Sequence, residues 1–242
     1  MPQPIPLNGE LVSALTPWAW ISLAISLIGV VWIIIDLRTR PPRMKVMRWV
    51  WPLAALWGSA FGIALYLIAG RAPLASGGNG RRKSGHDDKR DHSADRPFWQ
   101  RVGAGTAHCG AGCSVADMIG GWWFFAVPWL IAGSAILGEW VGEYVLALIF
   151  GIAFQYAAIQ PMLHLPTGQA IWRALRVDFI SLSAWQVGMY GFMALGFFRW
   201  AGRVPPNEVA FWLLMQGAMI AGFACSYLAN WWLIRANIKP AM

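Results

Sequence analysis

Charge is what this sequence has least of. Only 12% of its 242 residues are Asp, Glu, Lys or Arg, about half the share of an ordinary soluble domain. So little charge cannot cover a water-facing surface, and a lipid-facing one accounts for the deficit. Cysteine is scarce as well. Cys109, Cys113 and Cys225 are too few for the disulfide framework of a small secreted scaffold. No Lys or Arg precedes Arg38, so the basic start of a cleavable signal peptide is missing. The first apolar stretch is therefore expected to stay in the bilayer. Also missing are a phosphate-binding glycine loop, a nucleophile elbow, a His-Glu-x-x-His zinc motif and a Cys-x-x-Cys pair. Those absences give no sign of the common nucleotide-binding and hydrolase chemistries and weaken a thiol-exchange role, and a role other than catalysis is expected.

What is present is apolar. Hydrophobic residues make up 57% of the chain, and Trp occurs 17 times. Indole rings favour the boundary between lipid tails and headgroups. A crossing helix takes about 20 apolar residues. On that rule the chain reads as an all-α polytopic membrane protein of about six spans, near 17–36, 49–69, 102–137, 138–160, 179–200 and 208–235. The expected organisation is a first helix pair over 1–70, a polar loop over 71–98 and a four-helix membrane core over 99–242. The net charge of +8 sits mainly in the gaps between apolar segments. That distribution sets membrane orientation and gives no reason to expect a nucleic-acid partner. With both termini inside, more Lys and Arg fall on the cytoplasmic side, although the early cluster Arg38, Arg40, Arg43, Lys45 and Arg48 points the other way. The expected location is the inner (plasma) membrane.

Two connections differ in character. The stretch from Arg71 to Arg96 has almost no large apolar side chains and is expected to be disordered. Its His86, His92, Asp87, Asp88, Asp91 and Asp95 offer weak metal contacts at most. Between 161 and 178, Thr167 is a candidate cap, and Ile171, Trp172, Leu175 and Phe179 fall on one helical face. That pattern predicts a surface helix leading into the fifth span.

One polar run stands inside the apolar core: His108, Cys109, Gly110, Ala111, Gly112, Cys113, followed by Asp117. Polar and thiol groups within a span are costly unless paired or functional. Cys109, Cys113 and Asp117 are four apart and share one helical stripe, with His108 beside it. Thiolate and imidazole are suited to Cu(I), zinc or iron. Small residues at Gly103, Ala107 and Ala111, and at Gly105, Cys109 and Cys113, form ridges that let helices approach closely. They predict a central packing helix. The region 102–137 exceeds one straight crossing, and Pro128 falls within it. A tilted, kinked helix is expected there, with a broken or re-entrant element as the alternative.

Two methionine pairs repeat the four-residue spacing: Met189 with Met193, and Met215 with Met219. Thioether pairs one turn apart suit Cu(I), and eukaryotic copper importers carry a similar Met-x-x-x-Met pattern. Gln155, Gln186, Gln216 and Asn230 are expected to join helices by hydrogen bonds. Asp36 is expected at a membrane interface. Asp178 should pair locally with Arg173 or Arg176. Glu139 and Glu143 should sit at a helix N-terminus, where negative charge is favoured. His164 is a candidate second imidazole near His108.

The segments RPPRMKVMRWVWPLAALWG, HCGAGCSVADMIGGW, FGIAFQYAAIQPM, WQVGMYGFM and NWWLIRANIKPAM resemble an uncharacterised bacterial integral membrane family, DUF4396. The resemblance touches most of the chain outside 71–97. It implies a polytopic membrane protein, leans toward copper handling and supplies no catalytic residues.

The leading expectation is thus binding or transport of a soft metal, copper first, at His108, Cys109, Cys113 and Asp117, with the four methionines as further ligands. The alternatives are a membrane oxidoreductase carrying haem or quinone at His108 and His164, and a scaffold subunit whose small residues only pack helices. Expected partners are the lipid bilayer, a metal ion, and a homo-oligomer or membrane complex.

Overall fold

The structure is a computed structural model that describes residues 7–42, 44–72, 96–163, 166–236 and 238–239. Helix α1 (Gly9–Thr39) begins at Asn8, whose side chain accepts from the Leu11 backbone N–H. That bond satisfies one of the donors a helix start leaves open. Helix α2 (Met47–Gly58) stops at Ser59, which holds a φ of 48°. A left-handed backbone at a residue with a Cβ ends the α-helical ladder. Helix α3 (Ala60–Leu65) restarts at once and runs into a π turn, Tyr66–Gly70. A Cβ on Gly62 would collide with the Ala54 carbonyl, so only glycine lets the two halves fold this close. The second expected span is therefore a broken helix.

Helices α4 (Phe98–Ala126), α5 (Ala135–Leu163), α6 (Thr167–Leu195, continued by a π turn over Gly196–Trp200) and α7 (Val209–Arg235) complete the chain. Among the described residues the regular structure is helical, with one isolated bridge between Ile131 and Ser134. Three helices are long and apolar enough to cross a membrane: α1, α7 and the Ala135–Ala158 part of α5. Trp18, Ile28, Val187 and Leu228 lie more than 60% exposed. Exposed apolar side chains of that kind on long apolar helices fit association with lipid.

Helix α4 is the axis. Every residue from Val102 to Ser114 is buried, as a helix enclosed on all sides requires. Its glycines set how close the neighbours come. A Cβ on Gly112 would lie 2.8 Å from the Gly151 backbone of α5, and one on Gly110 would strike the Trp185 indole of α6. Neither glycine belongs to the two ridges read from the spacing; on those, a Cβ at Gly105 would meet nothing within 4 Å and one at Gly103 only the ends of the Leu65 and Tyr227 side chains. The long region 102–137 is not one tilted, kinked helix but is broken between two helices. Helix α4 ends at Ala126, and Pro128 falls in the turn before α5, because proline cannot continue the hydrogen-bond ladder.

Polar contacts tie the bundle at a few points. Tyr190 of α6 donates to the Trp140 carbonyl of α5 at 2.7 Å and stacks on that indole. Near the end of α1, Asp36 accepts from Tyr66 at 2.7 Å and from Arg71 at 3.0 Å. Those bonds tie the end of α1 to the π turn that follows α3. Gln216 of α7 accepts from Ser22 at 2.6 Å and donates to Ser26 at 2.9 Å and to the Leu56 carbonyl at 3.1 Å. One amide therefore joins α1, α2 and α7. Replacing it in Gln216→Leu should lower stability by about 1–2 kcal/mol, because interhelical hydrogen bonds in membrane proteins carry roughly that much. Thermal unfolding in detergent measures it, and an unchanged midpoint would remove this amide from the account.

Three sequence expectations are corrected here. The 161–178 connection does not form a separate surface helix. Helix α6 starts at Thr167 and runs unbroken to Leu195, and Thr167 makes no capping bond. Glu143 does not sit at a helix start but lies buried two turns into α5. Asp178 does not pair with Arg176, whose guanidinium lies over Trp172. Residues 73–95 of the expected polar loop, with His86 and His92, lie outside the described residues, as does His164.

Candidate functional site

The stripe on α4 reaches two separate polar centres. At its upstream end stands Cys109. Its thiol donates toward Asp178 of α6 at 3.5 Å and accepts from the Lys239 ammonium at 3.2 Å. Lys239 comes from the segment after α7. It donates to Asp178 at 2.6 Å and to Ser181 at 3.3 Å. Both charged side chains are 1% exposed. An ion pair so deeply buried survives only with good geometry and further hydrogen bonds, and both are present. Ser181 donates in turn to Asn230 of α7 at 2.7 Å, and Asn230 donates to Thr106 of α4 at 3.0 Å. A connected polar network therefore joins α4, α6, α7 and the segment that follows.

Two turns further along the same stripe stands Asp117, fully buried. Neither carboxyl oxygen has a hydrogen-bond partner among the described residues. Glu143 of α5 is close by. Its Cγ would lie 2.6 Å from a Cβ on Gly120, one helical turn past Asp117. The absence of a side chain at Gly120 makes the room for it. Glu143 Oε1 is also without a partner among the described residues. A buried polar group left unsatisfied is uncommon and calls for a cause. Asp117 borders a cavity of about 70 Å³ between α1, α2, α4 and α7. Met118, Met215, Met219, Ser114, Gln216 and Trp212 line it as well. That space exceeds what one water molecule needs.

The candidate ligands read from the sequence thus do not gather in one place. No group of three or more His, Cys, Asp or Glu arranged to hold a metal occurs among the described residues. His108 is buried edge-on to Phe154, with ring centroids 6.2 Å apart, and neither ring nitrogen has a partner among the described residues. Cys113 is buried between the two centres. Met189 and Met193 are buried on α6. Asp117, Met215 and Met219 do meet, around the cavity. Gln216 and Asn230 join helices as expected. Gln155 and Gln186 are buried with side-chain atoms unpartnered among the described residues.

Sequence reasoning missed Lys239 and the pairing of Asp178. Residues 61 positions apart leave no local spacing to read. Glu143 was misplaced for a different reason. Its distance from the helix start depends on where α5 begins, and the sequence suggested a later start.

A family model described as a domain of unknown function, DUF4396, matches residues 98–239. The match takes in α4 through α7 and ends on Lys239, so both polar centres draw residues from within it. No curated protein and no solved structure matches.

Proposed function

This chain belongs to the DUF4396 family, and we propose that it is a membrane protein that holds one soft monovalent metal ion, Cu(I) first, in the cavity between α4 and α7. The observation that carries the reading is the cavity itself, bordered by Met215, Met219 and Asp117, whose carboxyl has no partner among the described residues. A carboxylate supplies the charge that neutralises the ion. Thioethers are soft ligands suited to Cu(I). An ionisable residue inside a span is by default a functional candidate, and Glu143 places a second carboxyl next to the first. The proposed spans are α1, the broken α2–α3 pair, α4, α5, α6 and α7, about six in all, in the plasma membrane. His108, Cys109 and Cys113 then lie outside the ion site, since none of them lines the cavity.

The test is metal content. Protein purified in detergent and equilibrated with Cu(I) under reducing, oxygen-free conditions should retain about one ion per chain. Combining Asp117→Asn, Met215→Leu and Met219→Leu should reduce retention at least about tenfold, which is 1.4 kcal/mol of binding free energy or more. Cys109→Ser with Cys113→Ser should leave it in place. Loss of the ion in the cysteine variant alone would move the site to the thiols. No ion on the unaltered chain would end the metal reading.

A further inference from the structure

The cluster at the other end of the stripe carries a separate inference, independent of the metal. We propose that Cys109 and Lys239 form an oxidative cross-link site, in which a peroxide joins Sγ to Nζ as a sulfenamide. The two atoms lie 3.2 Å apart, close enough to react without backbone movement. Both residues are almost fully buried, so a small, uncharged oxidant reaches them more readily than a charged one. Peroxide fits that description, and a sulfenic acid condenses with a backbone nitrogen to a sulfenamide, a reaction open also to an unprotonated lysine amine, which is the stronger nucleophile.

The chemistry balances. Cys109 passes its thiol proton to Asp178, toward which it already donates at 3.5 Å. The thiolate attacks one peroxide oxygen, the O–O bond breaks, sulfur takes up that oxygen as a sulfenic acid, and the leaving hydroxide recovers the proton from Asp178. Sulfur is oxidised by two electrons, and the other oxygen leaves as water. Lys239 passes one ammonium proton to Asp178, which already accepts its hydrogen bond at 2.6 Å. The freed amine attacks Sγ, the N–S bond forms and the S–O bond breaks. The departing hydroxyl takes a proton to become a second water. The protein loses two hydrogens in all, and one peroxide becomes two waters. The product fastens the segment after α7 to α4 covalently.

Cys113 is the competing partner, since a disulfide would lose the same two hydrogens. It lies one helical turn from Cys109, a poor geometry for a disulfide. Asp178 positions the amine and takes its proton. The cysteine supplies the reacting atom.

The test treats detergent-purified full chain carrying Cys225→Ser with hydrogen peroxide, followed by digestion and mass spectrometry. Cys225 is exposed and is removed so that its own oxidation does not intrude. The expected product joins the peptide holding Cys109 to the one holding Lys239, short of two hydrogens and released by excess thiol. It should persist in Cys113→Ser and vanish in Cys109→Ser. It should vanish also in Lys239→Arg, which keeps a positive charge for Asp178 and so protects folding. Three results would overturn the proposal: Cys109 as sulfinic or sulfonic acid with Lys239 free, Cys109 unmodified, or a link that requires Cys113.

Discussion

Lys239→Met should be among the most damaging single substitutions in this chain, at about 3–5 kcal/mol. The change removes the ammonium that Asp178 faces at 2.6 Å and leaves a carboxyl 1% exposed without its charge partner. The cost is that of an uncompensated buried charge and exceeds what the pair itself contributes. For a chain of this length it corresponds to a fall in unfolding midpoint of about 10 °C. The double variant Lys239→Met with Asp178→Leu should recover most of the loss, because neither charge then remains to be solvated. Thermal unfolding of both in one detergent decides the matter. A double variant as unstable as the single one would show that packing around Lys239, and not its charge, holds this corner.

Gly112→Val carries the second large effect. Its new Cβ would stand 2.8 Å from both the backbone N and the Cα of Gly151. Backbone cannot rotate out of the way as a side chain can, so α4 and α5 must separate. Overpacking of that kind costs about 1–3 kcal/mol and occasionally more, and here it opens the longest contact of the central helix. Gly105→Ala is the matched control. A Cβ there meets nothing within 4 Å, so the change should be neutral or gain up to about 1 kcal/mol from better helix propensity. Size-exclusion profiles and unfolding midpoints of the two variants should therefore diverge. Equal behaviour would mean that α4 and α5 do not rely on the Gly112–Gly151 crossing.

The contrast between those two glycines shows what the sequence made legible. The four-residue spacing of Gly, Ala and Cys marked α4 as the packing axis, since close approach has a local signature in small side chains. It picked out Gly105 and passed over Gly112, because which glycine matters depends on what the partner helix brings. The helical membrane class was legible from hydropathy alone. The break at Ser59 was not, since serine carries no strong signal for a positive φ and the close fit at Gly62 depends on Ala54. In the site, the stripe Cys109, Cys113 and Asp117 was readable from periodicity. Its division into two centres was not, because Lys239, Asp178, Glu143 and Met215 reach it from other elements. The methionine pair on α7 joined Asp117 at the cavity, whereas the pair on α6 is absent from the cavity lining.

The separation of Asp178 from Lys239, 61 residues along the chain, also bears on how the protein is made. Ribosomes add about 5–20 residues per second, so α6 emerges several seconds before the cation that neutralises it. During that interval the acid has to wait in a watery vestibule or at the translocon with its neighbour not yet synthesised. A segment made later therefore brings with it the group that lets an earlier helix settle. Pulse-chase protease protection should accordingly find α6 accessible until Lys239 has left the exit tunnel.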